Sequence, residues 1–253
     1  MPQPSQKNNR ASAPASKRFA GKLALITGAN GGIGFAIAHA LAREGCDLVI
    51  TGRNSRTLSR VGRELGKHGG AVLSQTCDVR NPASVADLVK AIRRLRRPLH
   101  FLINNAGIGH PNRNVSELPY PKWAEVIHTN LTGTFLVTQA ALAVMKRGST
   151  IVNNLSIAAE RVFPGSAAYN ASKHGALGFT DTLREELRPK GIRVIALMPG
   201  ATDTAIWNTM WPKAPRRKMM SAETVATVVM NALLVPPDGA IEKVVIMPPG
   251  GTL

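Results

Sequence analysis

The sequence predicts an α/β protein: a single doubly wound domain with a mostly parallel seven-stranded sheet and helices on both faces. Three observations carry that expectation. Short β-branched runs alternate with longer stretches of helical periodicity, the pattern of parallel strands joined by crossover helices. The first run passes through a glycine-rich turn directly into a helix. No linker and no internal repeat follows residue 20, so 20–253 reads as one domain of the 253-residue chain.

The elements follow in order. KLALITG (22–28) is a continuous apolar run and a buried strand, and GIGFAIAHALAREG (32–45) has helical periodicity with a glycine stop. CDLVITG (46–52) is the second strand, followed by the helical SRTLSRVGRELGKHG (55–69). AVLSQTCDV (71–79) and LHFLINNAG (99–107) are strands, with a helix opening at NPASVADLVKAI (81–92) between them. PKWAEVIHTNLTGTFLVTQAALAVMKRG (121–148) reads as one long helix, and STIVNNLS (149–156) as a strand. A helix containing YNASK (169–173), the strand IRVIALMPG (192–200), the helix SAETVATVVMNALL (221–234) and a last strand in IEKVVIMP (241–248) complete the alternation.

Composition excludes several classes. Hydrophobic content of 44% supports a sizeable core, and no apolar run is long enough to span a membrane. Residues 1–19 are basic, free of acids and rich in Ser, Pro, Asn and Gln, which predicts a disordered tail and not a secretory signal. Cys46 and Cys77 stand far apart, which suits reduced thiols in a cytoplasmic setting. The net charge of +17 could suit nucleic acid, but aromatic content of 4% offers no base-stacking platform. AIRRLRRP (91–98), which holds Arg93, Arg94, Arg96 and Arg97, reads as the basic last turn of a helix. No specific nucleic-acid partner is expected. With neither HExxH nor paired cysteines, and with the six histidines dispersed, no metal site is expected; His39 and His128 read as helix residues.

In doubly wound sheets, ligands sit beyond the carboxyl ends of the strands. TGANGGIG (27–34) lies at that point, with Gly28, Gly32 and Gly34 spaced to allow a tight turn and close approach of a pyrophosphate to the helix N-terminus. The spacing is GxxxGxG, not the GxGxxG of the commonest dinucleotide fingerprint, and its place after the first strand of an alternating α/β chain is what points to a Rossmann-type dinucleotide site. An NAD site usually places an acid about 20 residues further on. Here VITGRNSR offers Arg53, with Arg56 nearby, and the strand's acid, Asp47, is at the wrong end. A guanidinium there matches a 2′-phosphate by charge and shape, which predicts NADP(H).

Tyr169 and Lys173 are four residues apart, so a helix stacks them on one face. Ser156 closes the fifth strand, and Asn130 is a polar residue within a long helical pattern. TGANGGIG, CDV with Asp78, NNAG (104–107), Asn130, Ser156, YNASK and PGATDT (199–204) stand in the order of the short-chain dehydrogenases/reductases. The chain resembles that family over residues 20–247. The resemblance implies cofactor contacts from Gly28, Asn30, Gly32, Ile33 and Gly34 in the turn, and from Asp78 and Val79 at the adenine. It implies further contacts from Asn105, Ala106, Gly107, Tyr169, Lys173, Pro199, Gly200, Thr202 and Thr204, with Asn104 behind the nicotinamide region. It also implies that Lys173 holds the nicotinamide ribose and that Asn130 positions a water.

Physical chemistry supports the roles of Tyr169, Lys173 and Ser156 independently. Reducing a carbonyl leaves an alkoxide that must be protonated, and a phenol with an ordinary pKa near 10 is poorly matched to neutral pH. A lysine cation about 5 Å away, at an effective dielectric of about 20, stabilises phenolate by roughly 3 kcal/mol, about two pKa units. Tyr169 is then the acid/base, Lys173 its electrostatic partner, and Ser156 the group that polarises the carbonyl. The expected function is NADP(H)-dependent hydride transfer to a small-molecule carbonyl, or from an alcohol, of carbonyl or 3-oxoacyl type. A cofactor-bound, non-catalytic sensor or scaffold is the alternative that loss of Tyr169 or Lys173 would have favoured. Residues 203–222 are expected to form a substrate lid, with Trp207, Met210, Trp211, Met219 and Met220 as its apolar part and PRRK (215–218) suited to an anionic substrate. By the same resemblance, the chain is expected to form a homotetramer or homodimer through the helices carrying Asn130 and Tyr169.

Overall fold

The computed structural model describes residues 17–252. The strands are Leu23–Thr27 (β1), Asp47–Gly52 (β2), Val72–Thr76 (β3), Leu99–Asn104 (β4), Met145–Asn154 (β5), Arg193–Pro199 (β6) and Lys243–Ile246 (β7). They form one seven-stranded sheet in the order β3-β2-β1-β4-β5-β6-β7. Every pairing is parallel, so no strand runs against the rest. The order reverses between β1 and β4, which opens a crevice at their carboxyl ends.

The helices are Gly32–Arg43 (α1), Ser55–Gly66 (α2), Pro82–Arg94 (α3), Tyr120–Ile127 (α4), Gly133–Ala141 (α5), Ala167–Leu187 (α6), Trp207–Met210 (α7) and Ala222–Leu233 (α8). α1, α2 and α8 cover one face of the sheet, burying Ile37, Leu41, Leu58, Leu65 and Val225 against Ile26 and Ile50. α3, α5 and α6 cover the other, burying Leu88, Ile92, Val137 and Leu183 against Leu25 and Leu102. All five residues of β1 are buried, as a central strand with helices on both sides requires. Side-chain caps begin three helices: Asn54 accepts from Thr57 N, Asn81 from Ala83 N and Ser84 N, and Ser221 from Thr224 N.

Two boundaries differ from the sequence expectation. The long helix over 121–148 is interrupted by a π-helical turn at His128–Thr132, where Gly133 N donates five residues back to His128 O. It then ends at Val144, and β5 takes up Met145 to Gly148, because Met145 pairs with Leu99 and Ser149 Oγ donates to Leu99 O. The tail expected over 1–19 lies outside the described residues as far as 16, whereas Lys17 to Phe19 belong to the domain. Phe19 is buried edge-on against Phe101, Lys17 Nζ donates to His68 O, and Arg18 pairs with Glu44. The basic cluster also divides. Arg93 and Arg94 do close α3, while Arg97 pairs with Asp47 and donates to Gly21 O.

Phe19→Ala should therefore destabilise the domain by about 3 kcal/mol, the usual cost of deleting a buried aromatic side chain. Urea unfolding followed by circular dichroism reads the shift in midpoint.

Candidate active site

The carboxyl ends of the strands are joined by polar side chains. Thr27 Oγ1, at the end of β1, accepts from the backbone N–H groups of Asn105 and Ala106, both at 2.9 Å. Asn105 Nδ2 donates back to Thr27 O at 3.0 Å and Gly28 O at 3.1 Å, and its Oδ1 accepts from Asn154 Nδ2 at 2.8 Å. Asn105 thus fastens three strands and holds the turn after β1. Gly28 has φ +65, and a Cβ there would stand 3.0 Å from Ala106 Cα; a Cβ at Gly34 would overlap the Asn105 amide. The glycines of TGANGGIG are needed to bring the turn against the β4 loop, which leaves the N-terminus of α1 open toward the crevice.

A cavity of about 610 Å³ runs from this turn to Ser156, Tyr169 and Lys173. Gly28, Asn30, Gly32, Ile33, Asn105, Ala106, Gly107, Pro199, Gly200, Thr202 and Thr204 line it, while Gly34 supports the turn from behind. α6 brings Lys173 under Tyr169, with the ammonium 5.6 Å from the ring centroid. Lys173 is 6% exposed and donates to Asn154 O at 3.0 Å. Ser156 begins a short 3₁₀ turn, and its hydroxyl accepts from Ala158 N at 3.1 Å.

Burial, more than pairing, governs the proton affinities. It pushes the Tyr169 phenol up, and a hydrogen bond with Ser156 brings it part of the way back. It also pushes the Lys173 ammonium down to about 8. The expected fall of about two units at Tyr169 is not what this site displays, because that reckoning placed the pair in a partly solvated medium. Lys173 still carries its charge at neutral pH.

Asn130 lies in the π-helical turn and is buried. Its Oδ1 accepts from Ile108 N at 2.8 Å, and its Nδ2 donates to Ile108 O at 2.9 Å and Ser172 Oγ at 3.0 Å. Both amide protons are thus taken within the protein, so the side chain braces the β4 loop against α6. Asn104, expected behind the nicotinamide region, donates to Thr138 Oγ1 and Asn153 Oδ1 and does not reach the cavity wall.

A second hollow continues beyond the glycine turn, lined by Arg53, Asn54, Asp78, Val79 and Arg80 with Gly28 and Gly107. Arg80 clamps the Asp78 carboxylate, donating from Nε to Oδ1 at 3.0 Å and from Nη2 to Oδ2 at 2.6 Å. This contact holds the Asp78 pKa below the usual carboxylate range. Arg53 has no acidic partner within ion-pair distance among the described residues. Its charge is therefore available to an anion in the hollow.

The lid differs from expectation in two respects. Trp207, Met210 and Trp211 line the cavity as expected, but Met220 packs into the core under α1 and α8. Arg216 of PRRK turns away from the cavity, donating to Asp203 Oδ1, Thr204 O and Asn208 Oδ1, each at 2.7 Å. Sequence reasoning missed Asn112, Asn154, Phe163 and Met247, all in the cavity wall. Asn154 follows from the rule that strand ends carry the site; Asn112 and Phe163 lie in loops with no periodic signal. Asn112 joins three segments, accepting at Oδ1 from Ser166 Oγ and donating from its backbone N–H to Met210 O.

The residues present fit a nicotinamide dinucleotide. Gly31, Gly32 and Ile33 at the N-terminus of α1 line the cavity, where backbone N–H groups suit a pyrophosphate, and Asn154 Oδ1 is a buried acceptor in the wall with no partner among the described residues. Among the described residues, no group of three or more potential metal ligands occurs.

The Lys173 shift gives a test by stability. Its folded pKa lies below the ordinary 10.5, so the unfolded chain binds more protons between pH 8 and 10.5, and folding strengthens as pH rises through that window. The urea midpoint of the parent should climb relative to Lys173→Met from pH 8 to 10, with the difference between the two constant below pH 7.5.

Comparison with known proteins agrees with the geometry. Residues 22–215 match the family model described as short chain dehydrogenase. A 3beta-hydroxysteroid dehydrogenase of Mediterraneibacter gnavus is 37% identical over 190 residues, 75% of this chain and 69% of that protein. The structure of an alcohol dehydrogenase from Thermococcus sibiricus complexed with 5-hydroxy-NADP superposes with TM-score 0.83 at 30% identity, covering 89% of this chain and 95% of that one. A variant of actinorhodin polyketide ketoreductase with NADPH gives TM-score 0.80 at 30% identity, covering 93% and 98%. The glycine turn, the Ser156–Tyr169–Lys173 wall and these matches together place the chain among the short-chain dehydrogenases, a family of oxidoreductases.

Proposed function

We propose that the protein is an NADP(H)-dependent reductase or dehydrogenase acting between a carbonyl and a secondary alcohol. The observation that supports this best is a pair of adjoining hollows that share Gly28, Asn30, Ala106 and Gly107, with Ser156, Tyr169 and Lys173 in one and Arg53, without an acidic ion-pair partner among the described residues, in the other. The relatives in complex with 5-hydroxy-NADP and with NADPH support the same cofactor. When bound, the cofactor supplies or accepts the hydride.

The chain's own residues do the rest. Gly28, Gly32 and the N-terminus of α1 would hold the pyrophosphate, Arg53 the 2′-phosphate, and Asp78 and Val79 the adenine side. Ser156 Oγ donates to the carbonyl oxygen and stabilises the charge that grows there. Tyr169 gives its phenolic proton to that oxygen in reduction and takes it back in oxidation. Lys173 stabilises the resulting phenolate and faces the ribose. Asn130 holds the 107–108 turn and Ser172 of α6, and in that position it serves the water-positioning role that the family resemblance implies.

An apolar face supports a homodimer or homotetramer: Phe135 of α5 is 41% exposed, with its ring 6.0 Å from that of Phe179 on α6. Cytoplasmic residence is the reading that two free, buried cysteines support. Among the described residues, no helix is long and apolar enough to cross a membrane.

Arg53→Ala should raise the Kd for NADPH about 10- to 100-fold, the worth of a charge-assisted bidentate contact, and leave that for NADH unchanged. Equal weakening of both would assign Arg53 a structural role. Tyr169→Phe should lower kcat for carbonyl reduction by about 10² to 10⁴ while NADPH still binds, with binding read by nucleotide fluorescence.

A further inference from the structure

We infer that the solvent face of α2 is a docking surface for the sugar-phosphate backbone of a nucleic acid, bound without regard to base sequence. The surface is separate from the catalytic cavity, and the inference does not depend on the proposed reductase function. Arg56, Arg60, Arg63 and Lys67 follow one another at spacings of four, three and four residues. At about 100° per residue they fall within an arc of about 60°, in a row about 16 Å long. Leu58, Val61 and Leu65 are buried on the opposite side of the helix, so the row points away from the core. All four cations are exposed, and none has an acid within ion-pair distance among the described residues. Glu64, the only acid of α2, stands to one side of the row.

The helix is a fixed platform. Asn54 caps it by accepting from Thr57 N, and Gly62 lets it lie against β3, where a Cβ would overlap Ser74 Oγ. The basic surface continues past its carboxyl end, where Lys17 Nζ donates to His68 O. Residues 1–16, which include Lys7 and Arg10 and no acid, join the domain through that same Lys17.

The chemistry of the face selects the partner. No exposed large apolar side chain lies on α2, so the face has neither an anchor for a protein interface nor a wedge for a lipid surface. Contact with a phosphate backbone needs neither, because counterion release supplies its affinity. Three of the four cations are arginines, whose planar fork matches two phosphate oxygens. With no aromatic residue on the helix to stack bases, the contact is with phosphates alone. The end of α3 is also basic, but Arg93 and Arg94 are adjacent, so they diverge by about 100° and form no row.

The test titrates the full chain against two fluorescein-labelled DNA duplexes of unrelated sequence, read by fluorescence anisotropy. With about four phosphates neutralised, both should bind equally and lose about 100-fold in affinity between about 50 and about 200 mM salt. Replacing three cations together, Arg60→Gln, Arg63→Gln and Lys67→Gln, should weaken binding about 30-fold or more at the lower salt. It should also cut the salt dependence over the same range to about fourfold. A control that removes the same charge elsewhere, Arg93→Gln with Arg94→Gln and Arg96→Gln, should bind nearly as the parent does. NADPH affinity should match the parent in both variants, since neither set of residues lines the dinucleotide hollows. Equal weakening by the two variants would trace binding to net charge and overturn the inference, as would a parent that binds neither duplex at the lower salt. Tighter binding to phosphatidylserine vesicles or to polyglutamate than to either duplex would overturn the assignment to nucleic acid.

Discussion

The hydrogen bonds of Asn105 are the constraint on which the site depends. A parallel sheet brings the carboxyl ends of its strands to one edge, where backbone groups run out of ladder partners and must be satisfied in another way. Asn105 does this across β1, β4 and β5 at once, meeting Thr27 O, Gly28 O and Asn154 Nδ2. The glycine turn is pulled inward because its carbonyl is held there. Asn154 is oriented by the same contact, and its own carbonyl then receives Lys173. A single amide therefore sets the floor of the dinucleotide crevice and, through one intermediate residue, the height of the lysine beneath the phenol.

Electrostatics in this chain is a matter of placement more than of total charge. Its cations are spread over the surface, and the acids it has pair with some of them locally: Arg188 with Glu185 and Glu242, Arg80 with Asp78 and Glu125, Arg97 with Asp47. In the crevice, two cations stand apart from that pattern. Lys173 is buried beneath the Tyr169 ring and donates to the Asn154 carbonyl, and Arg53 faces a hollow with no acid within ion-pair distance among the described residues. Their separation along the crevice divides the work, one cation next to the chemistry and one next to the far end of a bound dinucleotide. The stretch between them is lined by glycine and small polar residues.

Much of this was legible in the sequence, for identifiable reasons. The strand and helix order follows from periodicity, and the Tyr169–Lys173 stack follows from helical spacing, which local geometry alone determines. The π-helical turn was not legible, because Thr129 and Asn130 have no local preference for it; the turn exists to satisfy Ile108 across the site. The direction of Arg216 was equally hidden. PRRK reads as a basic patch, and only the folded lid shows that Asp203 and Asn208 occupy its guanidinium. Phe19 was misjudged because it follows the basic Lys17 and Arg18 at the end of a polar stretch, while its partner, Phe101, is far away in the chain.

The π-helical turn also limits how this region can vary over time. Its extra residue, relative to an α-helical turn, offsets α5 from α4 by about 100° of rotation. That offset lets Thr129 and Asn130 point inward while Val137 and Ala141 still meet the sheet-facing core. Removing one residue anywhere between His128 and Thr132 would restore an unbroken helix and turn one half away from its partners. The length of this stretch is therefore constrained together with the Asn130 side chain, and insertions or deletions between α4 and β5 are best accommodated beyond Ala141.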